Sequence, residues 1–558
     1  MSSETLKDIG KITLLAGLFF VPFLGAVHLF DWDEINFAEI SREMIELDDY
    51  LRIHVNFLPF WEKPPFFFWL QVLAMKAFGV GEFAARLPNA ICGMLTLSIL
   101  YLMGKQLYNR SFGLLWSLVY LGSLLPHLYF RSGIIDPWFN LFIFAGLYLF
   151  LLFYWKKEKL DGIALPYNGW TYLFLAGLTV GMGILTKGPV AYLVVALCFF
   201  VYWIGQRLRL YISVPQFLFF SFATTLVTLT WYGLETMRHG PWFISEFNTY
   251  QYRLFSTPDA GHKGFPGYHF AVLLIGCFPA SIFAIRAMFS LPAAQYEYQK
   301  DFRRWMLILF WVVLILFSIV QSKIVHYSSI CYFPLSFLAS LCLYEIWNKR
   351  LLFGRWLKWG LLAIGSLFVG SLLVFPYLAA RPALIAPFFQ DPFALESLYS
   401  NAHWSYASCL PAIWLVGILI FSIAWFRTSK TRPAILLLFL GNALFITFTL
   451  WSSMRTFESY SQNAAIEFLK SKASEDCYIQ PWGYKTYGHL LYAQKRVPEH
   501  EKSYDVEWLL NGAVDKPVYF ISKIHLCENL EQRENLEEIS RKNGFVFFKR
   551  KEEVDRKK

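Results

Sequence analysis

Three acids fall within the first four positions of DWDEINFAEISREM (31–44): Asp31, Asp33 and Glu34. Basic residues that could complement them recur further on. They are Lys63 in PFWEKPP, Arg131 with Asp136 in RSGIIDP, Lys187 in TKGP, and Lys323 with His326 and Tyr327 in SKIVHY. Carboxylates beside ammonium and guanidinium groups can exchange protons or hold an ionic ligand. Taken singly, several of these residues have quieter roles. Asp31 suits the cap of a following helix, Glu34 suits a partner or structural acid, and the Lys187 ammonium could reach back to an interface along its apolar stem. Glu-Lys-Pro-Pro in isolation is an ordinary loop whose prolines restrict the backbone around Lys63.

The elements that must position these residues are apolar. The 558-residue chain is 56% hydrophobic and 19% aromatic with only 16% charged residues, which describes an integral membrane protein. Its net charge of +10 is spread in short basic clusters between apolar runs, a pattern of membrane topology that excludes a nucleic-acid groove. A span needs about 20 apolar residues. That ruler gives about thirteen candidates, at 12–30, 87–107, 111–130, 137–154, 170–186, 188–205, 213–234, 268–288, 305–320, 328–347, 356–377, 406–426 and 433–451. The first has no small-residue cleavage site and runs into DWDE, so it reads as a retained helix and not a signal peptide.

Alternate loops collect the basic clusters, among them Lys7 with Lys11, KKEK (156–159), Arg303 with Arg304, and RTSKTR (427–432). By the positive-inside rule these are cytoplasmic, as is the N-terminus. The other loops and the tail beyond 451 then face outward, and every candidate residue above lies on that side. Residues 31–86 read as two helices along the interface, since DEINFAEISREM is amphipathic and PPFFFWLQVLAMKAFGV is short for a span. Ionisable groups at bilayer depth are costly unless they face a cavity or one another, so the cluster is a functional candidate. A secondary transporter or flippase also needs such charges. Transporters, however, bury them near the midplane of repeated halves, and the chain shows no clear internal repeat.

As an ordered set, these strings closely resemble the polyprenyl-phosphate-dependent membrane glycosyltransferases with the GT-C fold, the class of the aminoarabinose transferases and protein O-mannosyltransferases. The stretches are DWDEINFAEISREM, WEKPPFFFWLQVLAMKAFGVGEFAARLP, RSGIIDPWFN, GILTKGPVAYLV, PWFISEFNTYQYRLF with GHKGFPGYHF, and SKIVHYSSICYFPL. They cover about residues 12–345. The resemblance implies an inverting transfer of a sugar from an undecaprenyl-phosphate-type donor to a lipid A, glycolipid, glycan or protein acceptor on the outer face of the inner membrane. It implies Asp33 as the catalytic acid with Asp136 beside it. Lys63 and Arg131 would hold the donor phosphate, with Lys323 and Tyr327 as a second layer, and Lys187 and His326 nearby. Cations there stabilise charge that grows as the glycosidic bond breaks. It also implies a possible divalent metal shared by Glu62 and His262, although two ligands make an incomplete site. No Gly-rich phosphate loop is present, which agrees with a lipid-phosphate donor. One departure stands out: DEINF replaces the Asp-Glu-Thr-Arg-Tyr of the aminoarabinose transferases, putting Asn36 and Phe37 where an arginine and a tyrosine stand and leaving the sugar open.

From about 452 the long apolar runs end. SQNAAIEFLKSK and NLEQRENLEEISRKN read as helices and CYIQPWG, PVYFISKI and GFVFFKR as strands, a small α/β domain outside the membrane over 452–558. Cys477 and Cys527 lie in it, where a disulfide is permitted. The other cysteines read as small core residues.

Overall fold

The computed structural model describes residues 2–256, 264–289, 291–400, 402 and 404–551. An N-terminal helix α1 (Ser3–Phe20) is followed by α2 (Asp33–Glu46), a two-residue hairpin β1–β2 (His54–Val55, Leu58–Pro59) and α3 (Phe66–Phe78). A helical bundle follows: α4 (Glu82–Leu107), α5 (Arg110–Leu121), α6 (Leu124–Tyr129), α7 (Asp136–Lys157), α8 (Gly169–Lys187), α9 (Val190–Gly205) and α10 (Val214–His239). Beyond α11 (Trp242–Ser256) come α12 (Tyr268–Gly276), α13 (Ala280–Phe289), α14 (Glu297–Ile319), a 3₁₀ segment Val325–Cys331 leading into α15 (Tyr332–Trp347), and α16 (Arg355–Ala379). Helices Leu410–Arg427 and Thr431–Ser459 complete the apolar part.

Helices occur at all thirteen stretches, but they are not equal. Among the described residues nine are long and apolar enough to cross a membrane, or ten if α12 and α13, bent by 115°, form one span. The others fall short for local reasons. Helix α1 carries Glu4, Lys7, Asp8 and Lys11 and ends at Phe20, short of Pro22, so the expected span 12–30 is displaced towards the N-terminus. Helices α5 and α6 are separated by Gly122 and Ser123, and α9 has 16 residues.

Helix α8 sits between α7 and α10 because its packing faces are nearly bare. A Cβ on Gly177 would lie 2.5 Å from the Phe220 carbonyl oxygen and 2.6 Å from Ala223, and one on Gly181 would lie 2.8 Å from the Thr224 carbonyl. Small residues four apart let membrane helices approach backbone to backbone. On the other face, a Cβ on Gly146 of α7 would lie 2.7 Å from Val180 and 3.3 Å from the Ala176 carbonyl of α8, and along this second contact Lys187, at the end of α8, reaches Asp136 at the start of α7. The two interfacial helices are tied to the bundle by Gln71 of α3, which accepts from Ser41 of α2 (2.9 Å) and donates to the Ala85 carbonyl of α4 (2.9 Å).

The C-terminal part has a helix Asn463–Ser471 and a four-stranded sheet of order β3-β4-β6-β5. The strands are β3 (Tyr478–Trp482), β4 (Val518–Lys523), β5 (Leu536–Lys542) and β6 (Phe545–Arg550); β3 and β4 pair in parallel and the others antiparallel. The expected helix over NLEQRENLEEISRKN is corrected. Only Glu528–Glu531 is helical, and LEEISRK forms the edge strand of a hairpin closed by Asn543 (φ 51°) and Gly544 (φ 79°). Asn-Gly supplies the two left-handed residues such a turn requires. No disulfide joins the domain. Cys477 and Cys527 are free thiols in separate cores, the first taking a hydrogen bond from Lys495 (3.2 Å) and the second donating to Glu531 (3.2 Å).

Candidate active site

Helix α2 opens at Asp33 with Trp32 at the cap position and no side-chain cap bond. Asp31 therefore does not cap the helix, and its side chain lines a cavity. Glu34 is the pin of this corner. It accepts from Arg86 of α4 (2.9 and 2.7 Å), from the Phe30 N–H (2.9 Å) and from the Gly133 N–H (2.5 Å). Burial raises the Glu34 pKa, but Arg86 and the two N–H groups outweigh it and hold the carboxyl below its ordinary range. Arg86 also donates to the carbonyls of Leu24, Val27 and His28. This buried pair is saturated with hydrogen bonds, the condition under which such a pair is tolerated. It locks the segment before α2, the start of α4 and the RSGIIDP loop around Asp33.

A cavity of about 1370 Å³ opens beside this corner. Its polar end is lined by Asp31, Asp33, Glu62, Lys63, Asp136, Lys187, His326 and Tyr327. Lys187 donates to Asp136 and stands 5.1 Å from the centre of the Tyr327 ring. His326 Nε2 lies 3.5 Å from Asp33 and 3.8 Å from Asp136. Asp33, His326, Asp136 and Lys187 thus form a chain of alternating charge capacity along one wall. Lys63 stands across from it, its ammonium 3.5 Å from the Tyr250 hydroxyl and 4.8 Å from that ring's centre. From this end an apolar arm runs between helices, lined by Ile143 of α7, Leu193 and Val194 of α9, Thr228 of α10 and Leu316 of α14. Asp31 is open at the mouth on one side and crowded on the other by the C-terminal domain. That crowding pushes its pKa up to about 6, against the pull of Thr486 and Lys523.

Two expected phosphate ligands do not reach the cavity. Arg131 donates to the carbonyls of Phe19 and Pro22 (both 2.7 Å), tying the RSGIIDP loop to the end of α1. Lys323 donates to the carbonyls of Phe317, Ser318 and Val320 (3.0, 2.7 and 2.6 Å), the orphan acceptors at the end of α14. Each cation faces backbone oxygens at or just beyond a helix end, and neither lines the cavity. Of the expected metal pair, Glu62 lines the cavity and His262 lies outside the described residues. Among the described residues no group of three or more His, Cys, Asp or Glu side chains is placed to hold a metal ion. Two further residues line the site, Tyr250 and the Asn36 already marked as a departure from the family motif. Tyr250 is carried by α11, where Phe243, Phe247 and Tyr250 are buried at helical spacing. Asn36 lines the cavity one turn past Asp33, with its Oδ1 buried and unpartnered.

Fold and cavity together define a polytopic helical membrane protein of the GT-C type. The chain is similar over nearly its whole length to a crystal structure of ArnT from Cupriavidus metallidurans bound to undecaprenyl phosphate, with a TM-score of 0.73 and 17% identity, covering 97% of this chain and 98% of that one. Residues 62–231 match the family described as dolichyl-phosphate-mannose-protein mannosyltransferase. Among curated proteins, the chain is 27% identical over 451 residues to an undecaprenyl phosphate-α-4-amino-4-deoxy-L-arabinose arabinosyl transferase of Yersinia enterocolitica, covering 75% of this chain and 77% of the relative. To the enzyme of the same name from Pectobacterium carotovorum it is 25% identical over 430 residues, covering 72% and 73%.

Proposed function

We propose that the protein is an inverting glycosyltransferase that moves a sugar from an undecaprenyl-phosphate-type donor to lipid A or another envelope glycolipid, glycan or protein. The transfer takes place on the outer face of the inner membrane. One observation carries this reading: a single cavity joins an apolar arm between membrane helices to a polar end holding Lys63, Lys187, Asp33 and Asp136. A polyprenyl chain fits the arm and its phosphate meets Lys63. In one displacement the acceptor oxygen attacks the anomeric carbon, the bond to the phosphate oxygen breaks, and the electron pair leaves on the phosphate. Lys63 then faces more negative charge than before, so it stabilises the transition state over the ground state. Asp33 takes the proton of a hydroxyl acceptor or steadies the cationic sugar. Asp136, paired with Lys187 and near His326, holds the wall beside it. The aminoarabinose donor of the named relatives is the first to test. Asn36, where their motif has arginine, is the residue that argues for testing others.

The test is turnover. Purified protein given undecaprenyl-phosphate-linked sugars and envelope acceptors should release free undecaprenyl phosphate only when the acceptor is present. Movement of the lipid across a vesicle with no bond cleavage would overturn the reading in favour of a transporter. Mass spectrometry of envelope glycolipids and glycoproteins from cells with and without the protein would then name the product.

A further inference from the structure

Among the described residues His326 is the only histidine that lines the cavity. It is carried by the 3₁₀ segment Val325–Cys331, and helix α7 meets that segment at two points. Asn140 lies one turn past Asp136 on the same face of α7. It donates to the Ser329 hydroxyl (2.7 Å), which in turn donates to the His326 carbonyl. Asp136 meets the ring itself: its Oδ1 accepts from Lys187, while its Oδ2 lies 3.8 Å from His326 Nε2. The same nitrogen lies 3.5 Å from Asp33 Oδ2. Backbone and ring are thus set by one helix, and the ring is aimed between two carboxylates. The charged and titratable groups that face it are Asp33 of α2, Asp136 of α7, Lys187 of α8, Lys63 across the cavity, His269 of α12 behind it and Tyr327 beside it.

A carboxylate that captures a proton must lose it before the next transfer. A carboxyl group holds a proton weakly, with an ordinary pKa of about 4, whereas an imidazole, at about 6.5, takes it downhill and still releases it to water near neutrality. We infer that His326 acts through Asp33 as a positioning residue and proton relay, and that the acceptor group it serves is a hydroxyl. As the acceptor oxygen bonds to the anomeric carbon, the bond to the donor phosphate oxygen breaks and the phosphate keeps the electron pair. The acceptor proton passes to Asp33 Oδ2 and from there to the Nε2 lone pair of neutral His326, whose own hydrogen is on Nδ1. The imidazolium so formed stands between the carboxylates of Asp33 and Asp136 and gives its proton to water in the cavity. Separations of 3.5 Å are of the kind that close when substrate binds. A phosphate acceptor attacks as an anion and would leave this relay idle. It would also be poorly matched in charge. Among the described residues at the polar end Lys187 is paired with Asp136, so the donor phosphate takes Lys63 and a second phosphate would meet Asp31 and Glu62. The inference rests on the glycosyltransferase reading and adds to it the chemical class of the attacking group.

The experiment uses the full chain in spheroplasts, whose outer face is open to the medium and whose envelope supplies donor and acceptor. The product is the sugar-bearing molecule that mass spectrometry finds only when the protein is present. His326→Ala should slow its formation at least about tenfold, with the affinity of the purified variant for undecaprenyl phosphate, measured in nanodiscs, unchanged. Imidazole added to the medium should restore much of the rate, and the more so as pH rises and more of the imidazole is neutral, a response that a packing role would not give. His326→Gln, which fills the site but takes no proton, should be as slow as His326→Ala. Combining His326→Ala with Asp33→Asn should be no slower than Asp33→Asn alone, and imidazole should not restore the pair, since the relay acts through Asp33. Fragmentation of the product should place the sugar on a carbon-bound oxygen. A His326→Ala protein with the wild-type rate, a slow one that imidazole does not restore, or a sugar on a phosphate oxygen would overturn the inference. A wild type that makes no product and binds no undecaprenyl phosphate would overturn the glycosyltransferase reading, and the relay with it.

Discussion

Residue by residue, the sequence separates what a side chain can do from what it faces. Lys63 and Asp33, expected from the family resemblance, both line the cavity, and their roles remain a proposal. Arg131 ranked beside Lys63 and Lys323 in a second layer, yet both donate to backbone carbonyls near helix ends, and nothing in a charge near a span end reveals that partner. On the proposed assignment Asp33 and Lys63 fail differently. Asp33→Asn cannot accept a proton, so single turnover should fall by about 100-fold or more with undecaprenyl phosphate affinity retained. Lys63→Ala should weaken donor binding and turnover together. An Asp33→Asn protein with the wild-type rate would return that acid to a structural role. Asp31 adds a pH test. Its folded pKa, about 6, lies above the ordinary 3.8, so ionisation disfavours the folded state. The cost is absent below about 3.8, grows up to about 6 and is constant above. The thermal midpoint gained by Asp31→Asn should therefore rise between pH 4 and 6 and level off beyond, and a gain that does not change with pH would refute the shift.

Elements were easier to find than to delimit. Each apolar run forms a helix, because twenty apolar residues have little other way to satisfy their backbone in a bilayer. Breaks such as Gly122–Ser123 depend on neighbours that no single-helix pattern contains. The edge strand β5 was missed for a related reason: LEEISRK is charged enough to pass for a helix, and the informative signal was the Asn-Gly that follows it. The glycines of α8 set a test at this scale. A side chain at Gly177 must displace the Phe220 carbonyl, which is backbone and cannot swing aside. Overpacking of this kind costs about 1–3 kcal/mol. Gly177→Val should lower the thermal midpoint in detergent by several degrees and, by moving Lys187 away from Asp136, also reduce turnover. Gly205→Val, in open space at the end of α9, is the control and should do neither.

For the whole molecule, the decisive feature is that the C-terminal domain is not a separate bead. Ile466 and Leu469 of helix Asn463–Ser471, Ile479 of β3 and Phe547 of β6 share one core with Ile35 and Ala38 of α2, Met75 of α3 and Ala84 of α4. The sequence shows a change of character from about 452 but not this shared core, since the two halves of its buried residues lie more than 370 residues apart, Ala85 to Ala464 being their nearest approach in the chain. The consequence is topological. Whatever the number of spans, the domain, the interfacial helices and the cavity mouth must lie on one side of the membrane. We propose, from the positive-inside rule, that this side is the outside, opposite KKEK and RTSKTR. A C-terminal alkaline phosphatase fusion should therefore be active and a C-terminal green fluorescent protein fusion dark, while a cysteine introduced at Lys159 should react with an impermeant maleimide only after the membrane is opened. A fluorescent C-terminus with an outward-reactive residue 159 would invert the whole protein. The mouth, the acids at 31–34 and the acceptor would then all be cytoplasmic, and transfer on the outer face would be ruled out by geometry alone.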